Sequence, residues 1–142
     1  MAYDNSNIFA SILRGEAPCV KVAETQDALA FMDIMPQSRG HTLVISKAPA
    51  ENMFDLPESD LGPIYALARK IARAQKVALG CEGVAVFQLN GPAAGQTVFH
   101  YHVHVMPRYE SVPWKPHSSE MADLDELKDH AEAIRKALSE LD

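Results

Sequence analysis

Cysteine is scarce in this 142-residue chain: Cys19 and Cys81 are its only two, and they lie far apart. That speaks against a disulfide framework and for a reducing compartment. Although 47% of the residues are hydrophobic, no uninterrupted apolar run reaches the roughly 20 residues a membrane-spanning helix needs. The opening residues, Met1 to Asn7, carry neither the basic nor the apolar region of a secretory leader. A cytoplasmic location with no membrane partner is therefore expected. Positive charge is also in deficit, with 13 Lys and Arg against 19 Asp and Glu and a net charge of −6. That balance argues against a broad nucleic-acid surface. There is no internal repeat and no low-complexity tract. A chain of this length suffices for one hydrophobic core, so residues 1–142 are expected to form a single domain.

Histidine is spent lavishly in one place. His100, His102 and His104, half of the six histidines, alternate through Val98-Phe99-His100-Tyr101-His102-Val103-His104-Val105-Met106. The intervening β-branched and aromatic residues predict a strand. On a strand, residues two apart share a face, so the three imidazoles should project together, opposite Phe99, Tyr101, Val103 and Val105. Two chemistries use such a row. Neutral imidazole ligates zinc and similar ions, and imidazole also serves as nucleophile or proton carrier. The bland alternative is a solvated face with histidine as filler.

The preceding loop, Asn90-Gly91-Pro92-Ala93-Ala94-Gly95-Gln96-Thr97, separates the two chemistries. Gly91 and Gly95 let a ligand approach the backbone, and Gln96 and Thr97 add neutral donors. Exposed N–H groups with such donors suit an anion, phosphate above all. A zinc site has little use for them. The bland reading is an ordinary Gly-rich turn.

Elsewhere the pattern predicts a short helix capped by Asn5 or Ser6 and carrying Ile8, Phe9, Ile12 and Leu13. Strands follow at residues 20–24, 28–32 and 41–45. Asp55 and Glu58 resemble a capping box opening a long helix that stops at Gly80, with Gly62-Pro63 able to kink it or delay its start. Strands at 83–89 and 98–106 come next. An amphipathic helix over 118–141 closes the chain, with Leu124, Leu127, Ala131, Ile134 and Leu138 at helical spacing. Short turns between successive strands suggest an α+β fold with an antiparallel sheet.

The segment from Gly95 to Arg108 resembles the histidine triad (HIT) family of nucleotide hydrolases and transferases, whose signature is His-x-His-x-His followed by two apolar residues. Ala30 to Pro36, Gly40 to Lys47, and Ile8-Phe9, Ile12, Gly15-Glu16 and Pro18 extend the match, which runs from about Asn7 to Arg108. Residues 109–142 form a C-terminal extension that includes Trp114, in a Pro-rich stretch able to cover a partner's site or to pack on its own sheet.

The resemblance implies a HIT-like antiparallel sheet with one long helix and the C-terminal amphipathic helix. It implies purine nucleotide substrates and a homodimer. His102 would attack the α-phosphorus to form a nucleotidyl-histidine, flanked by His100 and His104, with His41 reaching the same site. Asp33 would accept the ribose hydroxyls, and Ile34, Phe31, Phe9, Ile8 and Ile12 would surround the base. Asn90, Gly95, Gln96 and Thr97 would hold phosphate or assist the leaving group. No cofactor is implied. Some relatives hold a structural zinc where this chain has Asn7, Ala10 and Pro49, so no metal is expected. Thr97 resembles the dinucleoside polyphosphate hydrolase branch, whereas the N-terminal half resembles the phosphoramidase branch. A nucleotide-binding partner protein with incidental catalysis and a metal-dependent hydrolase are the alternatives.

Overall fold

Asn7, with an extended backbone, turns its side chain onto the Ala10 N–H and so opens helix α1 (Ile8–Leu13). The cap is neither Asn5 nor Ser6, because Ser6 is engaged with the Asp4 carboxylate. The structure, a computed structural model, describes residues 3–113 and 120–141. After α1 come β1 (Lys21–Glu24), β2 (Ala28–Met32), β3 (Thr42–Ser46), α2 (Glu58–Leu79), β4 (Gly83–Phe87), β5 (His102–Arg108) and α3 (Leu124–Glu140), with a 3-10 turn at Pro92–Ala94 before β5. The fold is α+β. Its five strands form one sheet in the order β1-β2-β3-β5-β4, every neighbouring pair antiparallel.

The two faces of the sheet do different work. Ala28, Ala30, Met32, Val44, Tyr101, Val103 and Val105 share a core with Ile64, Leu67 and Ile71 of α2 and with Leu127, Ala131 and Ile134 of α3. The opposite face carries a smaller cluster, Phe9, Leu29, Phe31, Leu43 and Ile45, under α1. Strand register then fixes where the histidines emerge. Leu43 lies opposite Phe31 on one side and His104 on the other, His104 lies opposite Phe87, and Ile45 lies opposite His102. Phe31, Leu43, His104 and Phe87 thus form one cross-strand row on the α1 face.

Four expectations are corrected. The histidine strand begins at His102, not Val98, and runs on to Arg108. Its partner β3 ends at Ser46, whose N–H still reaches the Tyr101 carbonyl at 3.2 Å, and the chain then turns away through Pro49, so residues 98–100 have no ladder opposite them. Tyr101 instead donates its N–H to the Ala50 carbonyl. The capping box does not form: Pro57 occupies the cap of α2 with no side-chain bond. Asp55 is spent on the backbone N–H groups of Glu51 and Asn52. Pro63 is absorbed within a helix that starts at Glu58 and ends at left-handed Gly80. Finally, α3 starts at Leu124, capped by Asp123, and Trp114 and Ser118 both fall outside the described residues. Because α3 shares the core with α2, the apolar stripe of α2 is covered within the chain and is not by itself a reason for a dimer.

One polar side chain ties the helical layer to the site. Gln75 of α2, fully buried, donates its amide to the carbonyls of Gly40 and Val105 at 3.1 and 2.9 Å. It therefore pins the residue just before His41 to the strand that carries His102 and His104.

Candidate active site

A cavity of about 850 Å³ opens on the α1 face of the sheet. Ile8, Phe9 and Ile12 come from α1, Phe31, Asp33 and Ile34 from β2 and its exit, Gly95 and Thr97 from the Gly-rich loop, and His102 and His104 from β5. These ten expected residues all reach its wall. Phe87, Leu89, Val98 and Leu43 join them. Among the described residues no Lys or Arg lines it.

Four expected residues stand elsewhere. His100 and His41 are buried behind the wall and act through other groups, as the bonds below show. The Gln96 amide is consumed inside the loop. It donates to the carbonyls of Glu51 and Val98 at 2.7 and 3.0 Å and accepts from the Gly91 N–H at 2.8 Å. Asn90 accepts from the Met53 N–H at 2.8 Å and pairs with Gln88. Neither side chain lines the cavity; both shape the loop that does. The sequence placed them beside phosphate because short polar side chains in a Gly-rich loop look alike whether they face a ligand or the backbone.

Hydrogen bonds to the backbone fix a tautomer on each imidazole. His102 Nδ1 lies 2.6 Å from the His100 carbonyl, which only accepts, so the proton sits on Nδ1 and Nε2 keeps its lone pair. His41 Nδ1 receives the Gln37 N–H at 3.1 Å, which leaves the His41 proton on Nε2. That Nε2 donates to His104 Nδ1 at 3.0 Å, and His104 in turn carries its proton on Nε2. The site therefore pairs a bare nitrogen on His102 with a proton-bearing one on His104, their rings 5.0 Å apart. A bare acceptor and a donor are thus presented side by side by two identical side chains.

Aromatic neighbours hold the rings. Phe87 stacks on His104 at 4.4 Å and nearly parallel, and Phe9 meets His102 edge-on at 5.0 Å. Phe87 was missed by sequence reasoning, although a strand register pairing it with His104 would have found it.

Burial dominates the electrostatics. It pulls His41 down to about 4 and His104 down to about 3, with charge repulsion from the other histidines a smaller cause. Burial also lowers His100 and His102. The crowding expected from sequence is real but secondary. All four rings are neutral near pH 7, as an attacking imidazole requires.

Burial drives Asp33 the other way, up to about 6, against a bond from the Met35 N–H at 2.9 Å that favours its charged form. Below about pH 6 this carboxyl takes a proton, loses its charge and turns one of its two acceptor oxygens into a donor. We expect kcat/KM for a nucleotide substrate to fall below about pH 6, and the limb to move to lower pH in Asp33→Asn. Rate profiles between pH 5 and 8 check this; a limb unmoved by the substitution would contradict it.

Asp33, His41 and His104 each offer a ligand atom within 4.8 Å of the others. The close approaches, however, use opposite nitrogens of His41. Its Nδ1 lies 3.6 Å from the Asp33 carboxylate, while its Nε2 faces His104. A chelate needs one nitrogen aimed at one ion, whereas here the His41 Nε2 proton points at His104 and its Nδ1 is taken by the Gln37 N–H. The positions matching a structural zinc fit no better. Asn7 caps α1 and donates to the Tyr3 hydroxyl, and Ala10 and Pro49 have no side-chain donor atom.

The HIT domain model matches residues 14–111. The chain is 44% identical over 103 residues to an adenosine 5'-monophosphoramidase of Schizosaccharomyces pombe, covering 72% of this chain and 74% of that one. A Hit-like protein from Bartonella henselae superposes with a TM-score of 0.91 at 43% identity, covering 96% and 99% of the two chains. A zinc-bound histidine triad family protein from Mycobacterium smegmatis does so at 0.86 and 34%, covering 96% and 95%.

Proposed function

The chain belongs to the HIT domain family, and on that premise we propose that it is a nucleotide hydrolase working through a nucleotidyl-histidine. His102 Nε2 attacks the α-phosphorus, and the bond to the leaving group breaks as His104 supplies a proton to the departing atom. Water then attacks the nucleotidyl-histidine, giving up a proton to His104 and releasing the nucleoside monophosphate. His102 is regenerated. The observation that carries this reading is the tautomer pair. The proton on His102 Nδ1 is held by a carbonyl, and the one on His104 Nε2 is dictated from His41. Splitting one displacement into two is what a neutral, oriented imidazole makes feasible.

The rest of the cavity suits a nucleoside. Ile8, Phe9, Ile12, Phe31 and Ile34 offer an apolar slot for a purine, and Asp33 at its edge suits a ribose diol. A phosphoramidate is the favoured substrate over a dinucleoside polyphosphate. A polyphosphate leaving group carries further negative charges, and among the described residues the wall supplies no Lys or Arg to meet them. The similarity to a protein named for adenosine 5'-monophosphoramidase activity supports the same choice. Rates on adenosine phosphoramidate and on diadenosine tri- and tetraphosphate, with and without chelator, test this. The phosphoramidate should be fastest, with chelator making no difference. A rate abolished by chelator and restored by a divalent ion would favour the metal-dependent alternative.

Action in the cytoplasm and as a homodimer belongs to the same reading. Strand β4 is a sheet edge carrying the exposed Val86, and Tyr65 and Val77 of α2 are exposed as well. An unprotected edge of this kind invites a partner. Light scattering at micromolar concentration should return twice the 15.6 kDa chain mass. A mass of one chain would refute the dimer.

A further inference from the structure

His100 sits two residues before β5 begins, outside the strand ladder, and the peptide that carries its carbonyl is held on the other side, by the Tyr101 N–H on the Ala50 carbonyl. Yet its carbonyl is the group that takes the His102 proton at 2.6 Å. Whatever fixes His100 therefore fixes the tautomer of the nucleophile. The ring is gripped at both ends. Its Nε2 donates to the Ser46 carbonyl at 2.7 Å, which makes Nδ1 an acceptor, and the Tyr3 hydroxyl meets that Nδ1 at 2.5 Å.

Asn7 decides which way the Tyr3 proton points. Its Oδ1 accepts the Ala10 N–H as the cap of α1, so its amide nitrogen must face the other way. That nitrogen donates to the Tyr3 oxygen at 2.9 Å. With its oxygen receiving from Asn7, the hydroxyl has its own proton left to give, and His100 Nδ1 is the acceptor in reach. The tyrosine also packs edge-on against the imidazole, centroids 5.6 Å apart.

We propose that Tyr3, oriented by Asn7, is a positioning residue for the nucleophile: it anchors the His100 ring so that the His100 carbonyl holds His102 in its attacking tautomer. The inference rests on the role of His102 proposed above. It makes the segment before α1 part of the catalytic apparatus, although that segment does not touch the cavity wall. It also gives Asn7 two tasks, helix cap and proton director, joined by one amide.

Two substitutions separate positioning from packing. Tyr3→Phe keeps the ring and removes the hydroxyl. Asn7→Asp keeps the cap, because a carboxylate still accepts the Ala10 N–H, but its other oxygen draws the Tyr3 proton away from His100. Each should lower kcat on adenosine phosphoramidate by about three- to tenfold, the rate equivalent of one hydrogen bond. KM should be unchanged, and the melting temperature of Asn7→Asp should fall by no more than the loss of the amide bond to the Asp4 carbonyl at 2.9 Å entails, with the cap kept. In ¹⁵N spectra of the full chain, the His100 Nδ1 resonance should move toward that of an unbonded imidazole nitrogen in both variants. Wild-type kcat and unmoved His100 resonances in either variant would overturn the proposal. So would a slow Tyr3→Phe beside a fully active Asn7→Asp, which would remove Asn7 as the group that orients the Tyr3 proton. If the wild type proves inactive on the phosphoramidate, the proposed activity fails separately, and the resonances alone still decide for or against Tyr3.

Discussion

His102→Ala is expected to lose turnover by on the order of 10⁴-fold or more, while nucleotide affinity changes by no more than about threefold. The asymmetry follows from where the binding surface lies. The Asp33 carboxyl and the apolar wall proposed to take the purine belong to α1 and to β2 and its exit, and neither depends on the imidazole. A neutral ring adds little to ground-state binding but supplies the only attacking nitrogen in this arrangement. His104 cannot substitute, because its Nδ1 is engaged by His41 and its Nε2 is protonated. Steady-state rates and nucleotide binding by calorimetry check both halves. Turnover within tenfold of wild type would remove His102 from the role of nucleophile.

The second large effect is on stability, at a residue that never touches substrate. Gly40 has φ +90°, and a Cβ there would stand 2.2 Å from Leu79 Cδ1 and 3.2 Å from Pro107 Cγ. The leucine methyl can rotate aside, but the proline in β5 cannot, and an L side chain resists that φ regardless. Gly40→Ala should therefore cost about 2–4 kcal/mol, a fall in melting temperature of roughly 10 °C. Activity should suffer too, since the Gly40 carbonyl is the one Gln75 holds and His41 is the next residue. Gly62→Ala is the control: it is helical, has ordinary φ and has open space around its would-be Cβ. Thermal unfolding of the two variants should diverge. A Gly40→Ala protein that melts with wild type would refute the packing argument.

What the sequence revealed tracks what local physics determines. Alternation around Val103 and Val105 put His102 and His104 on one face, since a buried strand face enforces a period of two. The same reasoning overran at Val98, because where a strand stops depends on its partner, and β3 ends at Ser46. Asp55 and Glu58 have capping-box spacing, yet the backbone of Glu51 and Asn52 competes for Asp55 and wins. The apolar cavity wall was traced by resemblance rather than by pattern, for Phe31 and Ile12 look like any core residue. Tyr3 and Phe87 left no trace in the motif. Tyr3 reaches His100 across 97 positions of chain, a distance no local pattern spans.

The central claim is a covalent bond between His102 and the nucleotide. Rapid quenching during turnover of an α-³²P-labelled adenosine phosphoramidate, followed by peptide mapping under mildly basic conditions, reads that bond directly. The account predicts stoichiometric label on the peptide containing residues 100–104, a nucleotidyl mass assigned to His102, and no label on the His102→Ala protein. Label trapped on His102→Ala, or wild-type turnover with no labelled peptide at any quench time, would contradict it.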